Sequence, residues 1–219
     1  MITYNDIKNN EEINTYIKKA DESLAALGYT EHSFAHVTKV AVCAEYILTT
    51  LGYPQKDIEL AKIAAHLHDI GNLVNRSEHS QSGAVMAFRI LNSLDMSAED
   101  VATVTTAIGN HDEGTGVPVN AVAAALIIAD KSDVRYTRVR NVNVQNFDIH
   151  DRVNYSVKKS LVEIDDKKTI LTLKLDIDST ISTVIDYFEI FLERMLLCRR
   201  AAEKLGLQFK LFINNQELM

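Results

Sequence analysis

Apolar residues recur at helical spacing through the first two thirds of the chain, which predicts a succession of amphipathic helices. Ile13, Ile17, Leu24 and Leu27 mark one face of a first helix that stops at Gly28. A second is predicted from Ser33 to Leu51, with Val37, Val40, Ala41, Ala44, Ile47 and Leu48 inward and Gly52 and Pro54 closing it. A third, over 56–70, halts at Gly71, and a fourth spans 79–94. A fifth, over 97–110, starts on Ser97-Ala-Glu-Asp, a good capping sequence. Pro118 opens a sixth, which carries Ala121–Asp130 and runs on to Tyr136. The period then shortens to two. Leu171, Leu173, Leu175 and Ile177 alternate with Thr172, Lys174, Asp176 and Asp178, as a half-buried strand requires. Val153–Ile164 is also β-rich, and Asp165-Asp-Lys-Lys supplies a turn between the two strands. Ser179 then caps a long helix with Ile181, Ile185, Phe188, Leu192, Met195 and Leu196 on one face; it ends at Gly206, after which Leu207, Phe209, Leu211 and Ile213 alternate again. The expected fold is mainly α: a helical bundle over 1–147, followed over 148–219 by a small α+β appendage of a three-stranded antiparallel sheet and a long helix.

Composition narrows the picture without naming a chemistry. A chain of 219 residues can bury one good core, and 47% hydrophobic with 24% charged residues is ordinary for a globular protein. Two Pro and no Trp suit a helical body. A net charge of −7 argues against a general nucleic-acid binder, because backbone affinity comes from clustered Lys and Arg. One local exception is the basic stretch Lys131, Arg135, Arg138 and Arg140. The longest apolar run, Ala121–Ala129, is about half a bilayer span, so no membrane partner is expected. Cys43 and Cys198 sit in apolar helical patterns and read as buried thiols. With a polar, acidic start and no signal peptide, a cytoplasmic location is expected. The compact C-terminal appendage leaves a homodimer open.

Candidate chemistry lies at the helix ends. His36, the pair His68-Asp69, His79, His111 and Asp130 combine imidazoles and carboxylates from several elements, as a transition-metal site needs. The segments HVTKVAVCAEYI at 36–47, AAHLHDIGN at 64–72, EHSQSGA at 78–84, AIGNHDE at 107–113 and ADKSD at 129–133 resemble the HD superfamily of metal-dependent phosphohydrolases. The His-Asp pair followed by Ile-Gly is the most specific piece. The resemblance implies that His36, His68, Asp69 and Asp130 hold a metal. It also implies that His79 and His111 hold a second, as in members with two ions, with Asp69 bridging; the alternative is that these two histidines orient substrate beside a single ion. The mixed donor set favours Fe or Mn, or Zn, Co or Ni, over Mg or Ca, which prefer oxygen shells.

Further roles follow from where the other polar residues stand and from the charge a phosphate needs. Asp69 would position the nucleophile, while Asp112 or Glu113 would shuttle protons or simply be solvated helix-end carboxylates. Lys131, adjacent to Asp130, would meet phosphate and assist catalysis, with Arg76 and Arg135 as further phosphate contacts. His32 is a substrate contact or a loop histidine. His66 lies about 200° around a helix from His68 and is expected in the core or behind the ligands, and His150 at the surface or a helix cap. Two departures stand out. Asn72 occupies a position where many HD enzymes have Lys or Arg. Gly114-Thr-Gly-Val-Pro118 looks like a shortened relative of the HD-GYP motif, with Val117 replacing Tyr. The expected function is hydrolysis of a small-molecule phosphomonoester or phosphodiester, nucleotides included. The alternatives are a diiron oxygenase like myo-inositol oxygenase and a non-catalytic, metal-containing regulatory module.

Overall fold

The computed structural model describes residues 2–219. The helices are α1 (Tyr4–Lys8), α2 (Glu11–Ala26), α3 (Phe34–Leu51), α4 (Gln55–Leu67), α5 (His79–Ser93), α6 (Ala98–Gly109), α7 (Ala121–Lys131) and α8 (Ile149–Ser156). They are followed by β1 (Val157–Ile164), β2 (Ile170–Ile177), α9 (Val184–Lys204), β3 (Gln208–Ile213) and β4 (Gln216–Glu217). The mainly helical architecture with a small C-terminal sheet is therefore as the periodicity predicts. Among the described residues, no helix is long and apolar enough to cross a membrane.

α7 is the hub. Its sequence AVAAALIIA is apolar all round, and Val122 to Ala129 are all buried, as expected of a helix enclosed on every side. The alanines let α3, α4, α6 and α9 pack closely around it. One continuous apolar cluster runs from Ile7 through α7 to Ile213 on β3, so bundle and sheet share a core. A charged residue at the end of such a helix is delivered to the interior. Asp130 and Lys131 are in this position.

Several elements differ from the sequence reading, for physical reasons. The sheet has four strands in the order β1-β2-β3-β4, and only its outer pairs are antiparallel; β2 and β3 run parallel. The connection between β2 and β3 is α9 itself, and a helical crossover returns the chain in the same direction. Residues 149–156 form helix α8, capped by Asp148, so strand β1 begins only at Val157. α7 starts behind the cap Asn120 rather than at Pro118 and stops at Lys131. In α9 the predicted apolar face is out of phase. Thr183, in a capping box with Asp186, starts the helix, and Ile181 lies before it. Ile185 is 78% exposed and Leu192 44%; Met195 of the predicted face is buried, but in a stripe with Tyr187, Phe191 and Cys198. That stripe continues into Ala201 and Ala202, whose small side chains permit close packing of the helix. Leu27 is likewise exposed, and the short α1 escaped notice.

Candidate metal centre

Each candidate ligand sits where a helix begins or ends. His36 is the third residue of α3, which Ser33 caps. His68 closes α4, and Asp69 starts the tight turn Ile70–Leu73. His79 opens α5, His111 follows the end of α6, and Asp130 is in the last turn of α7. Gly71 makes this convergence feasible. A Cβ there would lie 2.0 Å from His79 O and 2.4 Å from Gly83 N, so only glycine lets α5 press against the His68-Asp69 turn.

The donor atoms close on two neighbouring points. His36 Nε2 is 3.3 Å from His68 Nε2, 3.3 Å from Asp130 Oδ1 and 3.6 Å from Asp69 Oδ2. His68 Nε2 is 3.2 Å from the same Asp69 oxygen. On the other side His79 Nε2 is 3.2 Å from His111 Nε2 and 3.5 Å from Asp69 Oδ1. Asp69 thus turns one oxygen toward each histidine pair. Two triplets bring their donor atoms within 4.8 Å of one another: His36, His68 and Asp130, and His68, Asp69 and His111. Ligands held about 2.0–2.1 Å from one tetrahedral ion lie roughly 3.3 Å apart, so these separations suit a first-row divalent metal.

Hydrogen bonding aims the lone pairs. Nδ1 of His68, His79 and His111 lies 2.8, 3.1 and 2.6 Å from the carbonyls of Ala65, Arg76 and Ile108, and Nδ1 of His36 lies 2.8 Å from Asp133 Oδ2. A carbonyl only accepts, so each Nδ1 carries the proton and each Nε2 presents its lone pair inward. Two such lone pairs 3.2–3.3 Å apart repel unless positive charge lies between them. Asp69 Oδ2 is buried and accepts no hydrogen bond. The pKa values also show that the spot calls for positive charge. Burial alone would lower the pKa of His68, but Asp69 and Asp130 outweigh it and lift the imidazole to about 10. Burial, with His68 and Lys131 beside it, instead pushes His111 well below the histidine range. Burial opposes ionisation of Asp69 and Asp130, yet His68 and His32 beside Asp69, and Lys131 and His68 beside Asp130, hold both carboxyls well below the carboxylate range. The residues present fit a divalent metal.

A second layer braces the ligands. Buried Asp133 receives the His36 ring, Lys39 at 3.1 Å and Arg135 at 3.0 Å, and Arg138 approaches to 3.9 Å. Lys131 Nζ is 2.8 Å from Asp130 and 2.6 Å from Glu113, whose other oxygen accepts from Arg194 Nε at 2.8 Å. The ligands open onto a cavity of about 330 Å³.

The other candidate residues fall into distinct places. His32, Arg76 and Lys131 line the cavity. His32 packs its ring edge-on to His36, and Arg76 Nη1 lies 3.4 Å from both Asn72 Oδ1 and His79 Nε2. Asp112 Oδ1 is 4.0 Å from His79 Nε2 and 3.9 Å from Lys131. Arg135 does not line the cavity; Glu31 and Asp133 hold its guanidinium, so it braces Asp133 instead. His66 is 1% exposed, with both ring nitrogens unpartnered and its ring edge-on to Tyr4, and so is a core residue. His150 is exposed, as the sequence reading has it, and also lines the cavity together with Asp148, Asp151, Asn154, Phe191 and Arg194. Sequence reasoning missed these residues because they come from α8 and from the far segment α9. Asp133 was within reach, since it lies one turn after Asp130 in the quoted ADKSD segment.

The profile of the HD domain family matches residues 33–153, more than half of the chain. The uncharacterized protein MJ1020 of Methanocaldococcus jannaschii is 25% identical over 190 residues, which covers 76% of this chain and 73% of that protein. A crystal structure from an uncultured Thermotogales bacterium, described as a predicted HD superfamily hydrolase, has 24% identity and a TM-score of 0.46. The match covers 57% of this chain and 67% of that one.

Proposed function

The chain belongs to the HD domain family, and from that membership and the convergent His/Asp centre we propose that it is a metal-dependent phosphohydrolase acting on a small phosphomonoester or phosphodiester, nucleotides included. In this reading His36, His68 and Asp130 would hold one ion and His79 and His111 a second, with Asp69 serving both. The observation that carries it is the pair of facing Nε2 couples on either side of Asp69. The mixed imidazole and carboxylate set suits iron or manganese, with Zn, Co or Ni as substitutes. When bound, such ions polarise phosphoryl oxygens and acidify water to near neutrality.

The chain's own groups supply the rest. Lys131 is almost fully buried and held by Asp130 and Glu113, so it offsets ligand charge rather than reaching for substrate. Arg76 is the cavity guanidinium without a carboxylate partner among the described residues, and its fork matches a phosphoryl group. Both Glu113 oxygens face cations, which leaves Asp112, beside His79, to accept or return a proton. His32 sets its ring edge-on to His36 at the wall, where it orients the substrate.

The test is anaerobic purification with elemental analysis, followed by phosphate-release assays on mono- and diesters for the parent and for Asp69→Ala. About two metals per chain and at least a hundredfold loss on substitution are expected. Undiminished hydrolysis by Asp69→Ala sinks the mechanism, and dioxygen consumption dependent on reduced iron replaces it with an oxygenase.

A further inference from the structure

The wall that α8 contributes to the cavity differs chemically from the metal-facing wall. Asp148, Asp151 and Asn154 all line it, and each offers an oxygen that accepts hydrogen bonds. Asp148 is exposed; its Oδ1 takes the Asp151 backbone N–H at 2.8 Å as the helix cap, and its Oδ2 has no protein partner. Asp151 receives only a long 3.5 Å bond from Asn141 Nδ2. Asn154 is 6% exposed; its Nδ2 donates to His150 O at 2.9 Å, and its Oδ1 has no partner. No cation lies within ion-pair distance of Asp148 or Asp151 among the described residues. By contrast, Asp69 and Asp130 in the same cavity face histidines and Lys131. Burial, and then the neighbouring Asp148 charge, raise the carboxyl of Asp151 above its ordinary range.

Unused acceptors with two negative charges disfavour a second anion and favour a cationic donor. Arg76, in the same cavity, has N–H groups suited to a phosphate. Resting on the reading of this cavity as a phosphate-ester site, we propose that the α8 wall is an ammonium subsite and that the substrate is a phosphate ester carrying a protonated primary amine. Asp148 and Asp151 would take two ammonium protons and Asn154 Oδ1 the third. Neither an alkyl phosphate nor a simple nucleotide monoester supplies that group.

The experiment is calorimetric titration of the metal-loaded full chain with ethyl phosphate, 2-hydroxyethyl phosphate and 2-aminoethyl phosphate, with phosphate release followed in the same samples. The amine is expected to bind at least tenfold tighter than the other two. The ratio should fall toward one in Asp151→Asn and, separately, in Asp148→Asn, which keeps the helix cap. Circular dichroism confirms that each variant is folded. Equal affinity for the three ligands, a hydroxyl analogue that matches the amine, no binding by any of them, or a preference that survives both substitutions overturns the subsite. Amine preference without phosphate release leaves the subsite standing and removes the hydrolase reading. Phosphate release without amine preference does the reverse.

Discussion

Replacing Asp133 by asparagine removes one negative charge behind His36 without touching any proposed metal ligand. The carboxylate lies 2.8 Å from His36 Nδ1, and both groups are fully enclosed. Burial opposes its ionisation, but the His36 bond and the Arg138 and Arg135 charges keep its carboxyl well below the usual range. An anion at this position fixes the Nδ1–H tautomer and makes Nε2 more basic, and loss of such a partner typically weakens metal binding about 10–100-fold. At 1.36 kcal/mol per decade that is about 1.4–2.7 kcal/mol. The loss should be one-sided. His79 and His111 are oriented by backbone carbonyls that the substitution leaves alone, so binding at their end should hold. The assay is calorimetric titration of metal-stripped protein with Mn(II) or Zn(II), run well below the melting temperature because Arg135 and Arg138 also lose a partner. Parent affinity in folded Asp133→Asn, or equal weakening at both steps, would refute the reasoning.

Two further outcomes follow from the geometry. Gly71→Ala drives a methyl group into the backbone of α5, where neither His79 O nor Gly83 N can yield. A loss of about 3 kcal/mol or more is expected, read as a Tm lower by about 6–12 °C; a Tm within 2 °C of the parent would show that α5 is free to move. The thiols give a pH signature. Burial lifts Cys43 to about 11 and Cys198 to about 12, and a raised thiol pKa means less thiolate at every pH below it. Alkylation of Cys43 in the folded protein should therefore rise about tenfold per pH unit through pH 10, and Cys198 should react only on unfolding. A reactivity plateau near pH 9 for either thiol in folded protein contradicts this.

Much of the bundle was legible because the 3.6-residue period of α3 agrees with its Ser33 cap and Gly52 stop, and that of α6 with its Ser97 cap. The strands β2 and β3 announced themselves by alternation. The phase of α9 was not legible, since its sequence offers more than one apolar stripe and only packing selects the one that carries Tyr187, Phe191 and Cys198. The parallel pairing of β2 with β3 was equally hidden, being a property of the crossover rather than of either strand.

For the site, the sequence by itself determined which residue types stand at the helix ends, and hence a His and Asp set fit for a metal. Tertiary structure decided the rest. It set the separations of a few ångströms between residues up to about a hundred positions apart, and the turning of one Asp69 oxygen toward each histidine pair. It also assigned Arg135 and Lys131 to carboxylates and brought α8 and Arg194 into the cavity wall. Ligand identity is local chemistry, written residue by residue. Ligand geometry and the occupancy of each charge depend on how helices distant in sequence pack around α7, which no single stretch of the chain encodes.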